Sequence, residues 1–438
     1  MNRYESYKNS EIDWVGEIPS HWETAKPKHK LKRVTRPIDD EDEVVTCFRD
    51  GVVTLRKNRR EDGFTNSIKE HGYQQIRQGD LVVHEMDGFE GAIGISDSKG
   101  KSTPVYTVVE PDHRVDLRYI SYLLREMSKT GKIESLARSI RERTTDFRWN
   151  MWSVIHFPFP PTEEQKLISR YLDKKTEQID RLVEKIQKKI ELLKEQRTSL
   201  INQCVTKGLD PNVEMKDSDV EWIGEIPKHW DIKKISWVTS LVTQGGNPDY
   251  SLGEVSDDFR VLKTKNLYDD KIYYDSADTI SEATFLRETQ SKPEPNDLLV
   301  AIVGKGSIGK VNIFDPPDDR KYIYSRSLGC VRFIKDEINV FYIKWFFNSS
   351  SGKQILNLGI GGSTGQEVLK TTYLSGLLVP KPPLTEQKKI SYYLKTECSK
   401  IDQMVDIETK RSNLLKEYCQ SLISSVVTGK VHVTKDML

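Results

Sequence analysis

The sequence predicts an α+β protein written twice: two mixed α/β units separated by two long helices, in a pseudo-two-fold internal repeat. Three observations predict it: a duplicated tryptophan-containing segment, a duplicated helix opening, and a heptad of apolar residues beyond that opening. Residues 10–23 read SEIDWVGEIPSHWE and residues 218–231 read SDVEWIGEIPKHWD. Eight of the fourteen positions are identical: Ser10/Ser218, Trp14/Trp222, Gly16/Gly224, Glu17/Glu225, Ile18/Ile226, Pro19/Pro227, His21/His229 and Trp22/Trp230. A second pair follows, PPTEEQKLISRYL at 160–172 and PPLTEQKKISYYL at 382–394. Between these anchors only a skeleton persists, Gly79-Asp80-Leu81-Val82 against Asn296-Asp297-Leu298-Leu299 and Ala92-Ile93-Gly94 against Ser307-Ile308-Gly309.

In the divergent segments, apolar runs predict strands at Asp80–His84, Val105–Val109, Asp297–Val303 and Gly329–Ile334. Helical periodicity predicts helices at Leu117–Met127 and Val340–Asn348. Stretches rich in glycine and charge, at 49–66, 85–101, 243–258, 304–310 and 359–367, predict loops. Pro160-Pro161 and Pro382-Pro383 end the preceding strands, and Thr162 and Thr385 are the expected N-caps of the long helices. In the first helix Leu172, Ile179, Ile186, Leu193 and Leu200 recur every seven residues, flanked by Ile168 and Leu182 and interrupted in the second line by Lys175 and Lys189. The second helix carries Leu394, Ile401, Leu415 and Leu422, with Glu408 breaking the line. A heptad this long, with no glycine until Gly208, predicts a coiled coil. Residues 164–207 would span about 65 Å as helix.

The 438 residues include 67 Lys+Arg and 66 Asp+Glu, a net charge of +1, which excludes a bulk polycation but not local basic patches. No run approaches the roughly 20 apolar residues that span a bilayer, and the first residues, MNRYESYKNSEIDW, lack an apolar signal core. Cys47, Cys204, Cys330, Cys398 and Cys419 are far apart and odd in number, as expected of a reducing cytoplasm. A cytoplasmic protein is the expectation.

Catalytic motifs fail on inspection. Gly304, Gly306 and Gly309 fit G-x-G-x-x-G, and Gly309-Lys310 extends a partial P-loop, but Val311 stands where Ser or Thr should hold magnesium. Both patterns need a helix next, whereas VNIFDPPDD is β-branched and then proline-broken, so a strand–turn–strand is expected. Asp315-Pro316-Pro317 approximates the amino-methyltransferase motif, but Asp318 occupies the aromatic position and a surface turn is expected. No zinc spacing exists among the histidines and cysteines, and His21 and His229, between proline and tryptophan, are expected to be structural. No catalytic residue and no metal site is assigned.

The loops carry side chains of the kind that read DNA. In the first half these are Arg56, Lys57, Arg59 and Arg60, then Arg138, Arg141, Arg143 and Arg148. In the second they are Gln244, Asn247, Lys263, Lys265, Asn266, Lys305, Arg326, Ser363, Thr364 and Gln366. Arginine grips guanine, Asn or Gln grips adenine, and Lys suits phosphate; each taken singly is as well explained as solvated surface. Two similar units with different loops would read different half-sites, giving an asymmetric, interrupted target.

The W-x-G-E-I-P-x-H-W repeat, the P-P-x-x-E-Q-K helix start and the Gly362-Ser363-Thr364-Gly365-Gln366 segment resemble specificity subunits of Type I restriction–modification systems over essentially the whole chain. The resemblance implies target-recognition domains at 1–158 and 212–380 and conserved helical spacers at 159–211 and 381–438, the spacers pairing as an antiparallel coiled coil. It implies double-stranded DNA, two methyltransferase subunits and restriction/translocase subunits as partners. S-adenosylmethionine, ATP and magnesium would sit on those partners, with no cofactor in this chain. The first half departs from the family's G-S-T-G-Q pattern, having Ser139-Ile140-Arg141-Glu142-Arg143 there. Two rival readings are a nucleotide-dependent enzyme built on Gly304–Lys310 and a coiled-coil adaptor that binds only proteins.

Overall fold

The computed structural model describes residues 2–59, 71–136, 147–269, 271–304, 306–362 and 367–438. They pack as two compact units, Met1–Gln187 with Lys410–Leu438, and Lys188–Thr409. Four helices organise them: α1 (Leu117–Lys129), α2 (Thr162–Lys207), α3 (Val340–Asn348) and α4 (Leu384–Val427). The long helices α2 and α4 are not bodies of their own; each unit holds the opening half of one and the closing half of the other.

Both units are built on a four-stranded antiparallel sheet of the same order. In the first, β1 (Lys32–Val34), β2 (Leu81–His84), β3 (Ile93–Ile95) and β4 (Tyr106–Glu110) run β1-β4-β2-β3. In the second, β5 (Thr239–Gln244), β6 (Leu298–Ala301), β7 (Val311–Ile313) and β8 (Leu328–Phe333) run β5-β8-β6-β7. The expected strands and helices lie in place, with α3 matching to the residue. The central strands read as unbroken apolar runs because both faces are covered. Leu81 and Val83 face the core shared with α1, and Val82 faces a second core with Val45 and Val53. Leu298 and Val300 face α3, while Leu299 and Ala301 face a separate core with Leu262 and Tyr324. The outer covering is where the units differ: a hairpin of Val45–Cys47 and Val53–Leu55 in one, and a three-stranded sheet of Val255–Leu262, Asp278–Ser281 and Lys321–Tyr324 in the other.

The glycine-rich segment is a hairpin: β6 pairs antiparallel with β7, and no helix follows Gly309. Gly304, Gly306 and Gly309 have φ of 118°, 74° and 83°, so the glycines serve the turn rather than a phosphate. Asp315–Asp318 is irregular and bends from 317, Asp318 accepting from Arg320 Nε at 2.8 Å.

Two expectations need correction at the long helices. Thr162 and Thr385 are not N-caps. The first helical carbonyl acceptors are Pro161, taking Gln165 N at 3.0 Å, and Pro383, taking Gln387 N at 3.0 Å. A proline there loses nothing, because its carbonyl is what the first turn needs and its missing N–H would have been orphaned. Leu182, expected beside the seam, is 43% exposed, and Ile190 is buried instead. An α-helix drifts about 20° per heptad against a strict seven-residue repeat, so the second line moves outward and is replaced at a spacing of four. Along the main line Leu172, Ile179, Ile186, Leu193, Leu394, Ile401 and Leu422 are buried, and Leu200 and Leu415 half-buried.

The helices pair antiparallel. In the first unit Ile168 and Leu172 share a core with Leu422 and Val426; in the second Ile201 and Cys204 share one with Leu394 and Cys398. The two polar interruptions of the heptad meet: Lys189 Nζ donates to buried Glu408 Oε1 at 2.5 Å. Arg197 Nε lies 2.8 Å from Asp402 Oδ1. A pair of this kind at a seam position favours one register over its neighbours.

A buried carboxylate opens the second strand of each sheet. Asp80 accepts from Arg77 N at 2.8 Å and Asp297 from Glu294 N at 2.8 Å, each closing a turn whose preceding residue is left-handed, Gly79 at φ 88° and Asn296 at φ 75°. Each is gripped by a guanidinium: Arg36 Nη1 donates to Asp80 at 2.6 Å, and Arg332 donates through Nε and Nη2 to Asp297 at 2.8 Å each. The aspartate side chains are 1% and 2% exposed. Arg36→Ala or Arg332→Ala should therefore cost about 3–5 kcal/mol in urea unfolding, since an unpaired charge is left buried. Lys30→Ala, which breaks a surface pair with Glu23, should cost under about 1 kcal/mol.

Candidate nucleic-acid interface

The repeated motifs prove to be each other's partners within each unit. In the first unit the Glu164 carboxylate, in the opening turn of α2, takes Trp22 Nε1 at 3.0 Å and the Tyr4 hydroxyl at 2.6 Å, while His21 Nε2 lies 2.8 Å away. Burial, and then the neighbouring carboxylate, push the Tyr4 phenol far above its usual range. In the second unit His229 Nε2 meets Glu386 at 2.8 Å beside the fully buried Trp230. The adjacent glutamines tie each long helix to a shorter one: Gln165 Oε1 accepts from Asp116 N at 2.9 Å and Gln387 Oε1 from Asn339 N at 2.7 Å. Asp116 and Asn339 are the N-caps of α1 and α3. The far end of the other long helix then closes on the same tryptophan. A Cβ on Gly429, just past α4, would lie 3.1 Å from Trp22, and one on Gly208, just past α2, 3.2 Å from Trp230; both glycines are left-handed caps. His21 and His229 thus each lie against the glutamate that opens a long helix.

With this frame fixed, loops gather at one end of the second sheet. Gln244 Nε2 donates to Arg326 O at 2.7 Å and Arg326 N to Gly246 O at 2.6 Å, joining loops 244–250 and 325–327. A Cβ on Gly245 would lie 2.3 Å from Ser325 O, so only glycine permits this approach. Thr264 Oγ1 donates to Val303 O at 3.0 Å and Thr264 N to Ser327 Oγ at 3.2 Å, adding loops 263–268 and 303–310. Gln244, Asn247, Lys265 and Arg326 are exposed here, and Lys263 is half-buried. Lys263 lies 2.7 Å from Asp278 and 4.8 Å from the centre of the Tyr250 ring; Lys265 pairs with the same carboxylate. Burial raises the Asp278 carboxyl, but the two ammonium groups more than reverse this and hold it below its usual value. Lys310 covers Tyr268 at 4.7 Å. Asn266 is placed differently: it is fully buried, its Oδ1 taking Lys263 N at 2.9 Å and its Nδ2 reaching Ser276 Oγ at 3.0 Å. Its amide shapes the loop and does not reach the surface. Lys305, Ser363, Thr364 and Gln366 lie outside the described residues.

In the first unit Arg56 Nε donates to Thr46 Oγ1 at 3.3 Å, Lys57 pairs with Glu43, and Arg59 pairs with Asp50 at 2.6 Å over the Phe48 ring. Arg148 stands 3.9 Å from Glu85, whose carbonyl receives Phe147 N at 2.9 Å. Arg49 pairs with Asp87 at 3.3 Å and with Glu90. Arg60, Arg138, Arg141 and Arg143 lie outside the described residues.

Both arrangements are cations held in place by carboxylates and aromatic rings. Exposed pairs of this kind are worth only about 0–1 kcal/mol, so they orient a cation yet release it readily to a phosphate or base. Sequence reasoning missed the aromatic members, Tyr250 and Tyr268, although their alternation with lysine in 250–273 was there to be seen. No helix among the described residues is long and apolar enough to cross a membrane.

The two anchors differ in what they hold. Glu164→Ala strands two buried donors and should cost about 2–5 kcal/mol in urea unfolding, whereas Glu386→Ala, which loses an exposed histidine contact, should cost about 1 kcal/mol or less.

Residues 227–417 match the family model of the Type I restriction modification DNA specificity domain. A protein of Methanocaldococcus jannaschii whose name assigns it as the MjaX specificity subunit of a type I restriction enzyme is 23% identical, over 98% of this chain and 97% of that protein. The type I restriction enzyme EcoKI specificity subunit of Escherichia coli (strain K12) is 21% identical, over 86% of this chain and 82% of that protein. Among solved structures, a chain from work on complex assembly and conformational transition of the type I R-M system shares the fold with a TM-score of 0.66 at 12% identity, covering 94% of this chain and 99% of that one. The HsdS subunit from Thermoanaerobacter tengcongensis does so with a TM-score of 0.55 at 14% identity, covering 94% and 98%. The chain is thus similar over nearly its whole length to specificity subunits of type I restriction enzymes, and residues 227–417 match that family's model.

Proposed function

We propose that this chain is a specificity subunit of a Type I restriction–modification system and reads a bipartite, interrupted and asymmetric double-stranded DNA site, one half through the loops of each unit. The observation that carries this reading is that one sheet order bears two different sets of basic and aromatic loops. Identical scaffolds would place the two readers comparably, and different loops would read different bases. The long helices scaffold two methyltransferase subunits, with restriction subunits completing the enzyme in the cytoplasm. This chain contributes no catalytic step; S-adenosylmethionine, ATP and magnesium serve the partners.

Purified with its methyltransferase partner, the chain should protect one defined two-part sequence, and methylation mapping of host DNA with and without the gene should find the same site. Binding indifferent to sequence, persisting at raised salt where phosphate contacts weaken, would overturn the reading. Lys263→Ala should weaken binding and lower the salt dependence by about one phosphate contact.

The helices also make a spacing prediction. Seven residues inserted in both 183–196 and 405–418 keep the seam in phase. The preferred gap between half-sites should lengthen, and an unchanged gap would remove the helices as its determinant.

A further inference from the structure

One register runs through both four-stranded sheets. Leu81 pairs with Val109 and His84 with Tyr106 in the first unit, as Leu298 pairs with Val331 and Ala301 with Leu328 in the second. The next backbone bond repeats as well: Glu85 N donates to Val105 O at 2.9 Å, and Ile302 N to Ser327 O at 3.0 Å. Counting back one residue sets Pro104 of the first unit against Arg326 of the second. Both are exposed, in the turn that leads into β4 or β8. One unit therefore presents a pyrrolidine ring where the other presents a guanidinium.

The backbone of Arg326 is held from both sides. Its N–H donates to Gly246 O at 2.6 Å, and its carbonyl accepts from Gln244 Nε2 at 2.7 Å. Ser325 N donates to Leu262 O at 2.9 Å, Ser325 Oγ lies 2.8 Å from Ser327 Oγ, and Thr264 N donates to that Ser327 hydroxyl at 3.2 Å. The guanidinium is the opposite case. Among the described residues it has neither a carboxylate nor a ring as partner. Around it, Lys263 and Lys265 share Asp278, Lys310 covers Tyr268, and Lys353 pairs with Asp269. Glu288, packed against Gly246, accepts instead from Ser291 Oγ at 3.2 Å. A fixed origin with a free planar fork suits a base edge, because a bidentate contact to guanine O6 and N7 tolerates little error in position. Phosphate needs no such origin and is met as well by the lysines.

We propose that Arg326 is a specificity-determining residue that grips one guanine in the half-site read by the second unit, and that Gln244 is its positioning residue. The Gln244 amide donates to the Arg326 carbonyl, so it fixes where the guanidinium starts rather than reading adenine itself. The first unit has no counterpart at Pro104, so the asymmetry of the target includes this base pair. The inference rests on the proposed DNA reading and deepens it at one position.

The test uses the full chain with its methyltransferase partner and a duplex library randomised across the site, the bound duplexes being sequenced. The wild-type complex should require G·C at a position in one half-site. Arg326→Ala should bind the cognate duplex about tenfold or more weakly and accept all four bases at that position, with the other preferences and the salt dependence unchanged. Arg326→Lys keeps the charge and should relax the same position, since an ammonium offers no planar fork. As a conservative change at an exposed residue, it keeps the test valid should the alanine variant misfold. Gln244→Ala should relax that position alone, and to a smaller degree. Lys263→Ala, by contrast, should weaken all duplexes alike. Wild-type preference retained by Arg326→Lys, or a uniform loss with a lower salt dependence in Arg326→Ala, makes Arg326 a phosphate contact and overturns the proposal. Loss of an adenine preference at another position in Gln244→Ala makes Gln244 a reader and overturns its positioning role. A wild-type complex that selects no two-part sequence removes the DNA reading itself, whereas one that selects such a site and keeps it in both Arg326 variants removes the arginine assignment alone.

Discussion

The carboxylate of Glu164 is the contact on which the first unit depends, because it joins three things at one point. It satisfies the indole of Trp22 and the hydroxyl of Tyr4 inside the core, and it belongs to the turn that fixes where α2 begins. Trp22 is also the surface on which α4 ends, at Gly429. The start of one long helix and the end of the other are thus set by a single indole. Glu386, Trp230 and Gly208 repeat the geometry with fewer bonds. Whatever length the helices have between these points, their termini are pinned to the sheets that carry the loops.

Each sheet in turn holds a buried aspartate–arginine pair, and the fold reaches that pair by two routes. The aspartate belongs to the repeated turn, but Arg36 follows the edge strand β1 in the first unit, whereas Arg332 lies within β8 in the second. A buried carboxylate must find a cation, and it has found one from whichever strand was near. The same freedom shows on the outer face, where a hairpin and a three-stranded sheet cover equivalent strands. What divergence has kept is the requirement, and what it has varied is the residue that meets it.

This explains what could be read from the residues beforehand. The heptad was visible because periodicity records burial directly, and the failed phosphate motif because VNIFDPPDD cannot be a helix. The repeated GEIPxHW segment was visible as a repeat, but its partner was not, since Trp22 and Glu164 are 142 residues apart and no local pattern joins them. Lys189 and Glu408 looked like two separate flaws in two seams until the antiparallel pairing set them opposite each other. Arg36 and Arg332 left no mark on the repeat, as they occupy unrelated positions. Asn266 was misplaced for a different reason: an amide that can read adenine can equally close a loop, and only its burial distinguishes the two.

The division of each long helix between two units has a consequence for how the chain is made. Residues Lys188–Thr409 are contiguous, so the second unit holds everything it needs before synthesis ends. The first unit does not, because Lys410–Leu438 belong to it. The Tyr119 hydroxyl bonds Val427 O, 308 residues later, and Tyr4 stacks on His432 at 4.3 Å. At about 5–20 residues per second that separation is roughly 15–60 s of translation. Through that interval Trp22 and its apolar neighbours lack the closing turns of α4, so the part of the protein made first is the part completed last.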